Sequence, residues 1–321
     1  MKNKPIIIVA GEPNSIFLEI FFKTLNLKKF KHPLILICSL KLLRLQMSKL
    51  KFKKKIKIIN YPNLNISNLN KNSINLIDVE YNQKIAFKKI SKKSKNYIKN
   101  SFEIAFKLIK SGISYKLING PISKKNFLNK KFLGITEYIS HKFSSNNNAM
   151  LIFNQNLSVC PLTTHLPIKL VSKKINNKLI QNKIKLIDNF YMNFKGIKPK
   201  IAVAGLNPHC ETNNTLNEDK NIIKPSITNL KKQGYNISGP FPADTIFLKK
   251  NRKIYDVIVG MYHDQVLGPL KTLYEYDAIN ITLGLPFIRV SPDHGPNEEM
   301  IGKNISNPLS LIKAISFLDR N

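Results

Sequence analysis

Arginine is scarce in this chain: four residues (Arg44, Arg252, Arg289 and Arg320) stand among 52 basic side chains, set against 19 acidic ones for a formal charge of +33. Lysine carries charge without the planar fork that reads bases or clamps phosphate, so so basic a total does not by itself make a nucleic-acid protein. The lysines are scattered, 39 asparagines and many isoleucines accompany them, and tryptophan is absent. That pattern fits a drift of the whole composition toward Lys, Asn and Ile better than one basic patch, although the charge still attracts small anions at low salt. Cysteine is equally sparse. Cys38, Cys160 and Cys210 form an odd, widely spaced set with no CxxC, which excludes a disulfide framework and points to a reducing compartment. No uninterrupted apolar run approaches the ~18 residues of a membrane span. The opening run of six apolar residues is too short for a signal region, and a soluble cytoplasmic protein is expected. Neither GxGxxG nor GxxxxGK[ST] occurs, so spacing alone implies neither NAD nor ATP. No local Ser-His-Asp or Cys-His arrangement is present either.

What the chain does have is alternation of strand and helix patterns. PIIIVAG at 5–11 is a β-branched run closed by a turn signal, as in a strand buried on both faces of a parallel sheet. Helical spacing over 16–27 and a second buried run, HPLILIC at 32–38, complete a βαβ unit. KLKFKKKIKIIN at 49–60 reads as an edge strand guarded by lysines, and the Asn-rich stretch after it as loop. Apolar residues from Phe87 to Ile109 predict one long amphipathic helix over 84–110, stopped by Gly112. Further strands are predicted at 115–118, 149–153, 157–160, 200–204, 255–259 and 279–283, and helices at 169–194, 222–233 and 308–318. The alternation implies an α/β architecture with a largely parallel sheet.

Three of the six histidines share one context. His165, His209 and His263 each follow closely on a predicted strand, and ligands of open α/β sheets bind outside the carboxyl ends of strands. Three imidazoles at three such ends are what a metal site assembled from distant loops would need, with open positions for a substrate oxygen. Each, taken singly, is also compatible with a structural histidine. His263 heads a polar HDQ run in which Asp264 could equally cap a helix. Arg289, in a chain saturated with lysine, is a candidate for bidentate capture of carboxylate or phosphate.

Eight blocks in order carry a resemblance: GEP (11–13), NGPISKKNF (119–127), ITEY (135–138), TTHLP (163–167), GLNPH (205–209), GPFPADTIF (239–247), MYHDQ (261–265) and NITLGLPFIR (280–289). In these the chain resembles the 4-hydroxythreonine-4-phosphate dehydrogenase family, as a divergent member. The resemblance implies an isopropylmalate-dehydrogenase-like fold: two α/β subdomains sharing a largely parallel mixed sheet, with the active site in the cleft between them. Residues 1–130 with 300–321 would form the first subdomain, and 131–299 the second, carrying the metal histidines and the interface of a homodimer. It further implies an enzyme of pyridoxal phosphate biosynthesis, using NAD (or NADP) and one divalent metal ion (zinc, magnesium or cobalt). The metal ligands would be His165, His209 and His263, one of the three supplied across the dimer interface. Thr136, Lys271, Asn280 and Arg289 would hold the small phosphorylated substrate. The chemistry implied is oxidation of a C3 hydroxyl by hydride transfer, followed by loss of carbon dioxide from the resulting β-keto acid. Asp244 and Asp264 are candidates for proton transfer or for orienting the histidines. No residue is assigned to the dinucleotide, and neither a nucleic acid nor a membrane partner is expected.

The chain departs from the family's pattern in three places. Its first turn reads GEPNSIFLE where the family's is of the type GEPAGIGPE; Ile135 stands where the family has a histidine; and ETNNTLNEDK (211–220) replaces a Gly- and Glu-rich loop. Ile135 cannot donate a hydrogen bond to a phosphate, which leaves open the same chemistry on another phosphorylated hydroxy acid of phosphoerythronate or phosphothreonate type. A non-catalytic descendant binding polyanions through its charge is the alternative from a different class.

Overall fold

In the computed structural model, residues 4–128, 132, 134–211, 217–292 and 294–320 are described. In chain order they form β1 (Ile6–Val9), α1 (Phe17–Leu27), β2 (Leu34–Cys38), α2 (Leu40–Lys49), β3 (Ile56–Ile58), β4 (Ile74–Asp78), α3 (Lys95–Lys110), β5 (Lys116–Asn119) and α4 (Ile135–Lys142). There follow β6 (Ala149–Phe153), β7 (Ser158–Thr163), α5 (Val171–Lys174), α6 (Asn177–Lys195), β8 (Ile201–Ala204), α7 (Lys224–Lys232), β9 (Ile237–Phe241), α8 (Ala243–Ile246) and α9 (Lys249–Arg252). Last come β10 (Val257–Tyr262), α10 (His263–Tyr274), β11 (Ile279–Leu283), β12 (Ile288–Pro292) and α11 (Leu309–Asp319). The chain divides into two compact units, Met1–Phe143 with Pro286–Asn321, and Ser144–Leu285. The first break falls 13 residues after the limit expected at 130, and the return 14 residues before the one at 300, so α4 and β12 belong to the first unit.

The first unit lays its six strands in the order β3-β4-β2-β1-β5-β12, and every pairing among them is parallel. Parallel strands covered on both faces must be apolar throughout, which is why Ile6, Ile7, Ile8 and Val9 are all fully buried. The lysine-rich strand β3 lies at the edge, where charge discourages further pairing. The second unit runs β11-β6-β7-β10-β8-β9, with β6 antiparallel to both neighbours and β7, β10, β8 and β9 mutually parallel. Its core packs Ile152, Val159, Ala202 and Ile258 of the strands against Val266 and Leu270 of α10.

Several expectations need correction. The helix predicted over 84–110 starts only at Lys95, after a single turn at Lys92–Ser94. Residues 83–88 are held elsewhere: Gln83 exchanges two side-chain hydrogen bonds with Asn14 (3.0 and 3.1 Å), and Lys88 donates its backbone N–H to Asn14 Oδ1 (2.9 Å). The stretch read as Asn-rich loop contains β4, whose Ile74, Leu76 and Ile77 are buried. α2 was not expected; Ser39 caps it, its hydroxyl accepting the N–H of Leu42. The helix predicted over 169–194 is broken before Asn176, which caps α6 by accepting the N–H of Leu179 at 2.9 Å. β9 and β12 were hidden by the Gly and Pro in ISGPF and IRVSP. Part of the loop 211–220 lies outside the described residues. Among the described residues no helix is long and apolar enough to cross a membrane.

Candidate active site

The site residues of the second unit follow from its strand order. β7, β10 and β8 are consecutive and parallel, so their carboxyl ends emerge on one side at the ~4.8 Å spacing of a sheet. His165 comes two residues after β7, His263 immediately after β10, and His209 in the loop after β8. The rings of His165 and His263 lie 6.1 Å apart, centroid to centroid. Two imidazoles on one tetrahedral ion have centroids roughly 5–5.5 Å apart, so these two fit a share of such an ion with little adjustment. His263 Nδ1 meets Asp264 Oδ1 at 2.7 Å; with the proton on Nδ1 donated to that carboxylate, the lone pair of Nε2 is left to accept a hydrogen bond or bind a metal. Among the described residues no three His, Cys, Asp or Glu side chains stand close enough together to hold a metal ion.

Both histidine turns are bent. His165 and His209 have φ of +48° and +57°, in the left-handed region that side chains other than glycine seldom occupy. The turn carrying His209 is held by Asp219, a buried carboxylate that accepts the N–H groups of Leu206 (2.8 Å) and Asn207 (3.0 Å) and the Asn207 side chain (2.9 Å). Gly205 must be glycine here, because a Cβ would come within 2.6 Å of Cys210 Sγ and 2.7 Å of Asp219 Oδ1. Burial and the nearby carboxylates of Asp219 and Asp244 push the Cys210 thiol up to about 11, which keeps it protonated and a poor nucleophile. Gln265 spans the same strand ends, accepting from Met261 N–H at 2.7 Å and donating to Gly205 C=O at 2.8 Å. Asp264 and Asp244 are both exposed, in the first turns of α10 and α8. Lys271 lies two turns further along α10, and Asn280, on β11, has a buried Oδ1 without a hydrogen-bond partner.

The first unit holds the other predicted pair together. Arg289 is 1% exposed; its Nε donates to Asn119 Oδ1 at 2.7 Å and its Nη1 to Thr136 Oγ1 at 3.2 Å. Burial lowers the guanidinium to about 10, with the Glu137 carboxylate pulling the other way, so it stays charged at neutral pH. Asn119 ends β5, and its amide is itself fixed by donating to Gly120 C=O at 2.9 Å. Ile135 opens α4 one residue before Thr136. Sequence reasoning missed Asn119 and Asp219 as supports. NGP at 119–121 was a legible block, but an Asp within a polar run of Asn, Glu and Lys carries no signal of burial.

The large, mostly parallel sheet with its covering helices is of the isopropylmalate-dehydrogenase-like fold class, and the chain is an enzyme of the dehydrogenase kind. The profile of the family described as "Pyridoxal phosphate biosynthetic protein PdxA" matches residues 29–318, and the chain belongs to that family. It is 38% identical to the 4-hydroxythreonine-4-phosphate dehydrogenase of Sulfurihydrogenibium sp. (strain YO3AOP1) over 323 residues, 96% of this chain and 95% of the relative. Among solved structures it is similar to 4-hydroxythreonine-4-phosphate dehydrogenase from Klebsiella pneumoniae (TM-score 0.84, 28% identity, 98% of this chain and 97% of that one). It is also similar to the enzyme of that name from Burkholderia phymatum (TM-score 0.78, 27% identity, covering 98% and 97%).

Proposed function

We propose that this chain oxidises 4-phosphohydroxy-L-threonine at C3 with NAD as hydride acceptor, the β-keto acid losing carbon dioxide to leave 3-amino-2-oxopropyl phosphate, in cytoplasmic pyridoxal 5'-phosphate biosynthesis. The observation that carries the proposal is the emergence of His165, His263 and His209 from the carboxyl ends of three neighbouring parallel strands. His165, His209 and His263 would hold a divalent ion, which would supply Lewis acidity toward the substrate hydroxyl and toward the negative charge left by decarboxylation. The reading takes one imidazole from a second copy of the chain, in a homodimer.

The protein's own groups do the positioning. Asp264 fixes the ring of His263 through Nδ1, so its task in this reading is orientation. Arg289, held by Asn119 and Thr136, is the charged group that this reading assigns to an anionic end of the substrate, with Lys271 and Asn280 as further substrate contacts. Holding both ends of a short substrate fixes its reacting carbon, which converts binding energy into rate. NADH formation by purified protein, with and without chelator, on this substrate and on phosphorylated hydroxy acids of phosphoerythronate and phosphothreonate type tests the reading. Chelator-sensitive turnover strongest on the first substrate is the expected result. Turnover confined to another member of the panel would replace the substrate, and none on any would overturn the proposal.

A further inference from the structure

The turn that carries His209 is bent against its own preference. His209 and the following Cys210 are both left-handed, with φ of +57° and +63°, and two residues with side chains hold that conformation in succession only where their surroundings impose it. Two side chains impose it here. Asp219, at the head of the turn Asp219–Ile223 that leads into α7, spreads its carboxylate over the N–H groups of Leu206 and Asn207 and the Asn207 side-chain amide, and among the described residues no cation lies within ion-pair distance of it. Burying such a carboxylate is costly, and the N–H donors are what offset that cost. Gln265, two residues after His263, supplies the second hold: its Nε2 donates to Gly205 C=O at 2.8 Å, while its Oε1 accepts the N–H of Met261, two residues before His263, at 2.7 Å. The base of the His209 turn is thereby tied to both flanks of His263. Glycine makes room for each end of the linkage. A Cβ at Gly205 would come within 2.7 Å of Asp219 Oδ1, and one at Gly260, on β10, within 2.8 Å of Gln265 Oε1.

We infer that Asp219 and Gln265 are positioning residues for the proposed metal site, a two-part brace that fixes the His209 turn against the His263 turn and so sets how tightly the ion is held. The inference rests on the reading of these histidines as metal ligands. Both oxygens of Asp219 face N–H groups and both polar atoms of Gln265 are engaged by backbone, so neither side chain acts as a ligand itself. A mobile loop loses conformational freedom when its imidazole joins an ion; a turn already held has lost that freedom on folding, and the ion is bound more tightly for it. Each turn is held within its own chain, so the effect is the same if one of the two imidazoles serves the site of a second copy. The chemistry of the brace is specific. In Asp219→Asn an NH2 group would face a backbone N–H, donor against donor, and the turn would lose one of its two backbone anchors. Gln265→Met keeps the size of the side chain and loses both bonds.

Titration of the full-length protein with cobalt(II), followed by the visible absorption of the bound ion and by competition with a chelator, measures affinity independently of turnover. Asp219→Asn should weaken cobalt binding by roughly tenfold or more, and Gln265→Met by at least about threefold. Asp256→Asn is the control. It removes a carboxylate that likewise accepts a backbone N–H, that of Lys200 at 2.8 Å, at the opposite end of β8, and it should leave cobalt affinity within about twofold. Where Asp219→Asn does not fold, Gln265→Met carries the test. Cobalt held as tightly by either brace variant as by the parent overturns the inference, and so does an equal loss in Asp256→Asn, which would make the effect one of general stability. Parent protein that takes up no cobalt, or His263→Ala that takes it up as tightly as the parent, refutes the metal site itself and the inference with it.

Discussion

Glu12 is a buried carboxyl whose burial can be read as a dependence of stability on pH. It follows β1, is 2% exposed, accepts the Ser94 hydroxyl on Oε2 at 3.0 Å, and has no partner on Oε1. Burial pushes it up to about 7, against the lowering effect of Ser94 and of the Asn14 N–H, with the Glu298 carboxylate adding to the rise. Between the ordinary value of 4.5 and about 7 the folded chain keeps a proton that the unfolded chain has released. Stability from this group is therefore greatest below 4.5 and falls as pH rises through the window. At 1.36 kcal/mol per pH unit the fall amounts to about 3 kcal/mol. Glu12→Gln cannot ionise. Its amide costs about 1 kcal/mol wherever its N–H lacks an acceptor, but that cost does not change with pH. Denaturant unfolding of both proteins at pH 5 and pH 8 should show the variant gaining most of ~3 kcal/mol relative to the parent between the two. An identical difference at both values would refute the argument, because the carboxyl would then be ionised in the fold or already neutral at both.

Asp319 gives the opposite sign. Burial raises it, but hydrogen bonds from the N–H groups of Lys31 and His32 and from the His32 ring outweigh burial and hold it below 3.8. Asp319→Asn should cost about 1.5–3 kcal/mol at pH 7, a deficit that shrinks as pH falls through the carboxylate range, measured by the same unfolding series. Gly205→Ala should lower thermal stability by the equivalent of about 1–3 kcal/mol and reduce NADH formation, since the new methyl collides with the two groups flanking the His209 turn. Arg289→Lys should raise KM for the phosphorylated substrate at least roughly tenfold, because an ammonium cannot reproduce the planar fork that bonds Asn119 and Thr136 together. Ile135→His, restoring a donor at the start of α4, should lower that KM about fivefold with kcat nearly unchanged, and an unaltered KM would remove residue 135 from the substrate contacts.

The strands easiest to foresee were those with unbroken β-branched runs, since a strand buried on both faces has no polar register to confuse. β4, β9 and β12 escaped for a different reason. Each carries Asn, Gly or Pro, residues whose local preference is for turns and whose place here is set by neighbouring strands. The periodicity from Phe87 to Ile109 was real from Lys95 onward, but the bonds from Asn14 hold residues 83–88 in another course, and no local pattern encodes a partner some 70 residues away. In the candidate site, the strand-end placement of the three histidines was legible because the strands were, and Arg289 stood out because arginine is rare in this chain. Their supports were not visible. Asp219 and Asn119 act through hydrogen bonds to backbone and guanidinium groups that only the folded turns bring into reach.

The departures in the first turn make physical sense once its donors are followed. A glycine-rich turn leaves backbone N–H groups bare so that a phosphate can approach them. Here those groups are already engaged: Ile16 N–H donates to Pro296 C=O at 3.2 Å, Phe17 N–H to the Ser15 hydroxyl at 3.3 Å, and Glu12 N–H to Pro121 C=O at 2.8 Å. Residues 11–22 are buried throughout, and the segment that Asn14 binds lies against them. A phosphate entering this turn would have to break those bonds and settle beside the Glu12 carboxyl. Asn14, Ser15, Phe17 and Leu18 are all buried here, and their side chains fill space that glycines at these positions would leave open. In the proposed reading the anionic end of the substrate is therefore met outside this turn, by the Arg289 guanidinium that Asn119 holds at the end of β5.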